Sequence, residues 1–105
     1  MDIIEVEEIL HKNDLVMVYF SGNNCGVCTA LMPKIKESFT KNFPKMKQVY
    51  INANDFPKTA AHYNIFTIPS VLIFFENKET KRESRHISVD NLVLSTKRVY
   101  DIFFS

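Results

Sequence analysis

Cys25 and Cys28 are the only cysteines in the chain, separated by Gly26 and Val27 within SGNNCGVCTALMP, residues 21–33. A pair at this spacing can hold half of a metal site, form a structural bridge, pack inertly, or exchange with other disulfides. Zinc needs four ligands, and the remaining nitrogen donors, His11, His62 and His86, show no finger-like spacing. A bridge here closes a loop of only four residues. Chain-entropy arithmetic then gives about 2 kcal/mol, against about 4.7 for a loop of about 100 residues, so the pair is a weak staple. Inert packing suits Cys28 on the inner face of a helix, but not Cys25 in a loop of Gly and Asn. A redox-active dithiol accounts for both positions.

The flanking sequence shows what must hold the pair. Leu15–Phe20, LVMVYF, is an unbroken apolar run of the kind found in a strand covered on both faces. From Gly26 to Asn42, the spacing of Cys28, Leu31, Ile35 and Phe39 predicts a helix, with Pro33 kinking it and Pro44 ending it. Before the pair, Ile3, Ile4, Val6, Ile9 and Leu10 mark an amphipathic helix closed by Asn13-Asp14. After it come a strand through KMKQVYINA and a short helix through FPKTAAHYN, with Pro57 near its start. Val71–Phe75 is a second apolar strand, and Glu76-Asn77-Lys78-Glu79 is expected as a tight turn into a polar strand within a solvated hairpin. Ser88, with Asp90 and Asn91, starts a closing helix whose core side carries Val89, Leu92, Val99, Ile102 and Phe103. The order αβαβαββα predicts an α/β domain over residues 1–105, with a mixed central sheet of about four strands covered by helices on both faces.

This order places Cys25 just past the carboxyl end of a central strand, at or next to a helix N-cap, where open α/β sheets gather their chemistry. Unpaired amides and the positive end of the helix dipole there favour a thiolate. The dipole supplies about 0.3 to 1 kcal/mol, while one pKa unit is about 1.4 kcal/mol, so hydrogen bonds to sulfur must add the remainder. A fall from about 8.5 toward about 7 would ionise about half the thiol at neutral pH. With no cation inside the motif, moderate acidity is expected.

Composition narrows the functional classes. The 105 residues carry net charge +1, are 24% charged and 46% hydrophobic, and show no long run of one sign. Nothing in this resembles the basic footprint of a nucleic-acid or membrane-surface protein. The acidic, amphipathic start lacks the basic and apolar regions of a signal peptide, and no segment reaches the roughly 18 apolar residues of a membrane span. A cytoplasmic monomer is expected, in a compartment that keeps thiols reduced.

VMVYFSGNNCGVCTALMP, followed by FTIPSVLIFF, whose Pro69 lies 41 residues after Cys28, resembles the thioredoxin family along nearly the whole chain. Pro33 and Pro57 also sit where that family has prolines. The resemblance implies a cis Ile68–Pro69 peptide, Cys25 as nucleophile and Cys28 as resolving thiol. It further implies that Pro69 shields the sulfurs from a main-chain N–H, that Ile68 offers its backbone to an extended substrate, and that Gly26, Val27, Phe66 and Thr67 surround the attacking sulfur. No metal or organic cofactor is implied beyond the Cys25–Cys28 disulfide. The implied partners are disulfide-containing proteins, with a thioredoxin reductase or a low-molecular-weight thiol as electron donor.

The chain departs from the family's pattern at several positions. Asn24, Val27 and Thr29 stand where thioredoxins usually have Trp, Pro and Lys, and Tyr19 and Tyr50 replace a buried carboxylate and its lysine. A phenol, with pKa near about 10, is a poor base for Cys28. Near RHISV the family's glycine is missing, so His86 or Ile87 is expected to narrow the groove. His62 is expected on the surface, and Tyr63, Phe103 and Phe104 in the core. Two further functions stay open: a thioredoxin-fold adaptor with low turnover, and a glutaredoxin-like reductase using a small thiol, for which Thr67 is suited.

Overall fold

The computed structural model describes residues 1–104; the expected domain of residues 1–105 ends at Ser105, which lies outside the described residues. The elements run α1 (Ile3–Lys12), β1 (Leu15–Ser21), α2 (Gly26–Asn42), β2 (Lys47–Asn52), α3 (Pro57–His62), β3 (Ser70–Phe75), β4 (Lys78–Ser84) and α4 (Val89–Phe103). The sheet order is β2-β1-β3-β4, with β1 parallel to β2 and antiparallel to β3.

Strand β1 lies between two neighbours and is buried from Leu15 to Phe20. Its alternation divides the core. Val16, Val18 and Phe20 pack with Val6 and Leu10 of α1 and Ala60 of α3, whereas Leu15, Met17 and Tyr19 pack with Ile35 and Phe39 of α2 and Leu92 of α4. β3 divides likewise, sending Leu72 and Phe74 to the first cluster and Val71, Ile73 and Phe75 to the second. Two apolar faces on one sheet require helices on both sides.

Helix ends follow local chemistry. Asp2 caps α1 in a capping box with Glu5, Ser88 caps α4 through the Asn91 N–H, and Pro57 begins α3. Helix α2 continues through Pro33, which is exposed, and closes at Phe43.

Three expectations need correction. The turn is the two-residue loop Glu76-Asn77, both residues at positive φ (49° and 64°), while Lys78 and Glu79 already belong to β4. Paired left-handed residues match the twist of the flanking strands, so strand pairing sets the turn here although Glu76 is a poor residue for that backbone region. On α4, Ile102 is 75% exposed and Val99 also reaches solvent, because the packed face of the helix runs through Leu92, Thr96, Tyr100 and Phe103 and both residues lie beside it. Phe103 retains its core position against Phe75, and Phe104 lies exposed under Lys45.

The polar hairpin is more than a solvated loop. Arg82 forms a bidentate pair with Glu79 and donates to the carbonyls of Tyr63 and Asn64 (2.8 and 3.0 Å). It thereby ties β4 to the end of α3, from which the chain leads to Pro69.

Candidate active site

The loop leaving β1 is fixed before it reaches Cys25. The Ala53 N–H donates to the Ser21 carbonyl (2.7 Å) and the Asn23 N–H to Asn54 Oδ1 (2.6 Å). Asn52 Nδ2 donates to Asn23 Oδ1 (3.0 Å), and Asn52 Oδ1 receives the Asn54 N–H (2.9 Å). Gly22 lies against the other half of the site, since a Cβ there would overlap Ile68 Cδ1 and Asn54 Oδ1. Asn24, at φ 56°, turns the chain into α2, a conformation asparagine tolerates better than most residues.

Cys25 is the N-cap of α2, and its Sγ accepts the Cys28 N–H at 3.2 Å. This is one of the helix's first amides, which have no partner within the helix. The two cysteines are joined as a disulfide, the oxidised form of the pair, with Cα atoms 5.2 Å apart. Cys25 is half-buried and Cys28 is 3% exposed, so the sulfurs differ sharply in access. Thr29 adds its N–H and hydroxyl to the Cys25 carbonyl, both at 3.1 Å.

Beneath Cys28 lies Tyr19, fully buried, whose hydroxyl donates to the Cys28 carbonyl at 3.0 Å. Burial, and secondarily the neighbouring Tyr50 phenol, push Tyr19 up to about 12, so it remains a neutral donor. The Tyr50 ring stands 5.9 Å from it, and its hydroxyl donates to Gln48 Oε1 at 2.6 Å. Burial raises Tyr50 as well. Aromatic packing therefore lies beneath the pair, and both phenols there stay protonated at neutral pH.

The third component is the turn into β3. The Ile68–Pro69 peptide is cis and Pro69 is buried. Ser70 Oγ donates to the Thr67 carbonyl (2.7 Å) and pairs with Ser84 Oγ (2.8 Å), while the Arg85 N–H donates to the Pro69 carbonyl (2.9 Å). Ile68 N–H and C=O make no hydrogen bond among the described residues.

A groove of about 370 Å³ joins these parts. It brings Cys25, Gly26 and Val27 opposite Ile68 and Pro69, and adds Asn24, Arg85 and His86. Phe66 and Thr67 lie elsewhere: with Asn54 and Ala53 they line a separate depression of about 250 Å³ on the far side of Ile68. Ile68 forms the ridge between the two, which keeps Phe66, although 84% exposed, off the wall next to Cys25. Ile87 packs onto the core and does not narrow the groove, whereas His86 does. Next to His86, Arg85 takes a left-handed backbone conformation, at φ 64°.

Sequence reasoning missed Gly22, the asparagine ties and Arg85. Gly22 had a signal, being one of two glycines in the chain and next to the end of β1. His62 is exposed, 3.4 Å from Glu7 of α1 and edge-on to Tyr63, in contact with neither cysteine. Among the described residues no group of three or more His, Cys, Asp or Glu could hold a metal, and no helix is long and apolar enough to cross a membrane.

A half-buried and a fully buried cysteine paired at a helix N-terminus, facing a cis-proline at the start of a central strand, define the class of thiol–disulfide oxidoreductases. The thioredoxin family model matches residues 5–97, and the chain belongs to that family. It is similar to the thioredoxin-like protein YdfQ of Bacillus subtilis, at 30% identity over 101 residues, covering 96% of this chain and 89% of that protein. Thioredoxin of Rickettsia prowazekii shares 37% over 76 residues, covering 70% of this chain and 72% of its own. Among solved structures, thioredoxin 1 of Thermosipho africanus superposes with a TM-score of 0.77 at 30% identity, covering 86% of this chain and 99% of that one. The chain is a thioredoxin-family protein-disulfide oxidoreductase.

Proposed function

We propose that the chain reduces protein disulfides, with Cys25 as nucleophile and Cys28 as resolving thiol. The observation that carries this reading is the pairing of a solvent-reachable Cys25 sulfur, which receives the Cys28 N–H, with a buried Cys28 one turn deeper. In the reduced protein the Cys25 thiolate attacks one sulfur of a substrate disulfide, forming a mixed disulfide and expelling the other sulfur as a thiolate, which takes up a proton. Cys28, after losing its proton, attacks Cys25 Sγ. The Cys25–Cys28 bond forms as the second substrate thiol leaves, so two electrons and two protons have passed to the substrate.

Pro69 contributes by lacking an N–H to compete for the sulfurs, and the unpaired Ile68 backbone offers a docking edge for an extended segment. Val27, 61% exposed, provides apolar contact next to Cys25, and Gly26 leaves that approach open because a Cβ there would meet nothing within 4 Å. Phe66 and Thr67 serve the substrate at the neighbouring depression. The cycle needs no cofactor beyond the disulfide. A thioredoxin reductase or a low-molecular-weight thiol in the cytoplasm returns the pair to the dithiol, and the protein acts as a single-domain monomer.

Tyr19 favours one second reading, an adaptor that binds substrate but turns over slowly. With Tyr19 protonated up to about 12, the Cys28 proton must leave to solvent rather than to a buried base. Cys28→Ser distinguishes the two when the reduced variant is mixed with a disulfide-bearing protein. The oxidoreductase reading predicts accumulation of a mixed disulfide through Cys25, and release of product by wild type under the same conditions. Absence of any trapped species contradicts the assigned roles, and trapping without wild-type turnover favours the adaptor.

A further inference from the structure

Arg85 and His86 form one wall of the groove that holds Cys25, and neither makes an ion pair or side-chain hydrogen bond with any described residue. Both are exposed. The placement is built: Arg85 leaves β4 at φ 64°, a costly conformation for a residue with a Cβ, and its N–H is held by the Pro69 carbonyl at 2.9 Å. The Arg85 backbone is thereby fixed beside the proline that faces the sulfurs, so that its side chain rises from the wall of the groove. The groove's other lining residues, Asn24, Cys25, Gly26, Val27, Ile68 and Pro69, include no acid, so nothing within it neutralises Arg85.

We infer that Arg85, assisted by the His86 imidazole, is a specificity-determining residue that selects disulfides flanked by an acidic side chain in an extended polypeptide. This inference rests on the oxidoreductase reading and assigns the substrate class of the same site. Three features favour a polypeptide. The Ile68 N–H and C=O are free to pair with a main chain. Val27 and Phe66, at 61% and 84% exposure, offer apolar contact along a surface longer than one small thiol. The second depression continues past Ile68, so an extended segment can run from one hollow to the other. Arginine suits the role because its fork grips a carboxylate with two parallel hydrogen bonds. The exchange itself is unchanged; Arg85 acts on how often a productive encounter forms.

The test measures the second-order rate at which the reduced full-length protein cleaves three synthetic disulfide peptides, identical except for Glu, Gln or Lys beside the attacked cysteine. Glutathione disulfide is run in parallel as a small carboxylated probe. Exposed charge pairs are modest, so the Glu peptide should react about threefold faster than the Gln peptide at low salt, and the Lys peptide more slowly than either. The preference should fade near about 1 M salt, where the screening length is about 3 Å. Arg85→Gln should bring the Glu-to-Gln ratio close to one, and Arg85→Lys should retain only part of it, because the charge remains and the two-pronged hydrogen bond is lost. Equal wild-type rates for the Glu and Gln peptides, or a ratio that survives in Arg85→Gln, overturn the inference. A carboxylate preference confined to glutathione disulfide overturns the polypeptide assignment. If wild type cleaves the Gln peptide but shows no charge preference, only the subsite is lost; if it cleaves no disulfide, the oxidoreductase reading falls with it.

Discussion

The base of the groove beneath Cys28 and the rim above Cys25 lie within one helical turn of each other, yet they are built on opposite terms. Beneath Cys28, Tyr19 and Tyr50 form a packed aromatic floor whose only polar link to the pair is a neutral hydroxyl on the Cys28 carbonyl. Above Cys25, Asn24 and Arg85 hold left-handed backbone conformations, Val27 is exposed, and the Arg85 side chain pairs with no other described residue. The floor contributes stability and no proton transfer; the rim accepts strain and exposure in return for access. The difference teaches that a protein can move its charge out of the buried base and into the recognition surface while keeping the sulfur geometry.

Substitutions should separate the two regions, beginning with the sulfurs that join them. Cys25→Ser should reduce disulfide cleavage to the uncatalysed background while leaving the thermal midpoint of the reduced protein nearly unchanged, because its side chain is only half-buried. Turnover that persists would place the nucleophile elsewhere. Next in size is Gly22→Ala, which forces a Cβ onto Ile68 and Asn54. Overpacking of this kind costs about 1 to 3 kcal/mol, and a domain of this length loses about 4 to 8 °C of midpoint per kcal/mol. Peptide cleavage should fall along with stability, since Ile68 is displaced from Cys25; calorimetry and kinetics together check both.

The floor should be revealed by alkali. Tyr19 titrates near 10 when unfolded and is pushed up to about 12 when folded, with burial as the first cause. A raised folded pKa means its contribution is fully present below about pH 10 and is lost as pH rises toward about 12, at up to about 1.4 kcal/mol per pH unit. Burial raises Tyr50 and Tyr63 in the same direction. Denaturant unfolding across this window should show a steep decline that Tyr19→Phe makes shallower. At neutral pH the same substitution should cost about 1 kcal/mol for the lost hydrogen bond and leave the cleavage rate almost unaltered. A large rate loss would show that the floor takes part in the chemistry. Smallest of all, Asn54→Ala should remove the 2.6 Å hydrogen bond to the Asn23 N–H, costing about 1 kcal/mol, and broaden the substrate range.

Most of the architecture was legible because the signals were local. The apolar runs in β1 and β3 can only be buried strands, and Cys28, Ile35 and Phe39 share one helix face. The N-cap role of Cys25 followed from the abrupt change from a Gly/Asn loop to helical spacing. What escaped was long-range. Asn23 is tied to Asn52 and Asn54, 29 and 31 residues away, and Arg82 reaches carbonyls 18 and 19 residues away, so neither leaves a periodic trace. The groove's narrowing was expected at His86 or Ile87; only strand pairing at the end of β4 assigns the left-handed position to Arg85 and turns Ile87 into the core. Ile102 misled because it lies beside, and not on, the helix face that Leu92, Thr96, Tyr100 and Phe103 turn to the core.

The central claim is that Cys25 is the ionised, accessible sulfur and Cys28 the protected one. Alkylating the fully reduced protein across pH 5 to 10, with the modified site read by mass spectrometry, tests it directly. The account predicts that Cys25 reacts first, with an apparent pKa below that of a free thiol, while Cys28 stays unmodified until the protein unfolds. Initial modification of Cys28, or a Cys25 midpoint at about 8.5 like that of a free thiol, would contradict it.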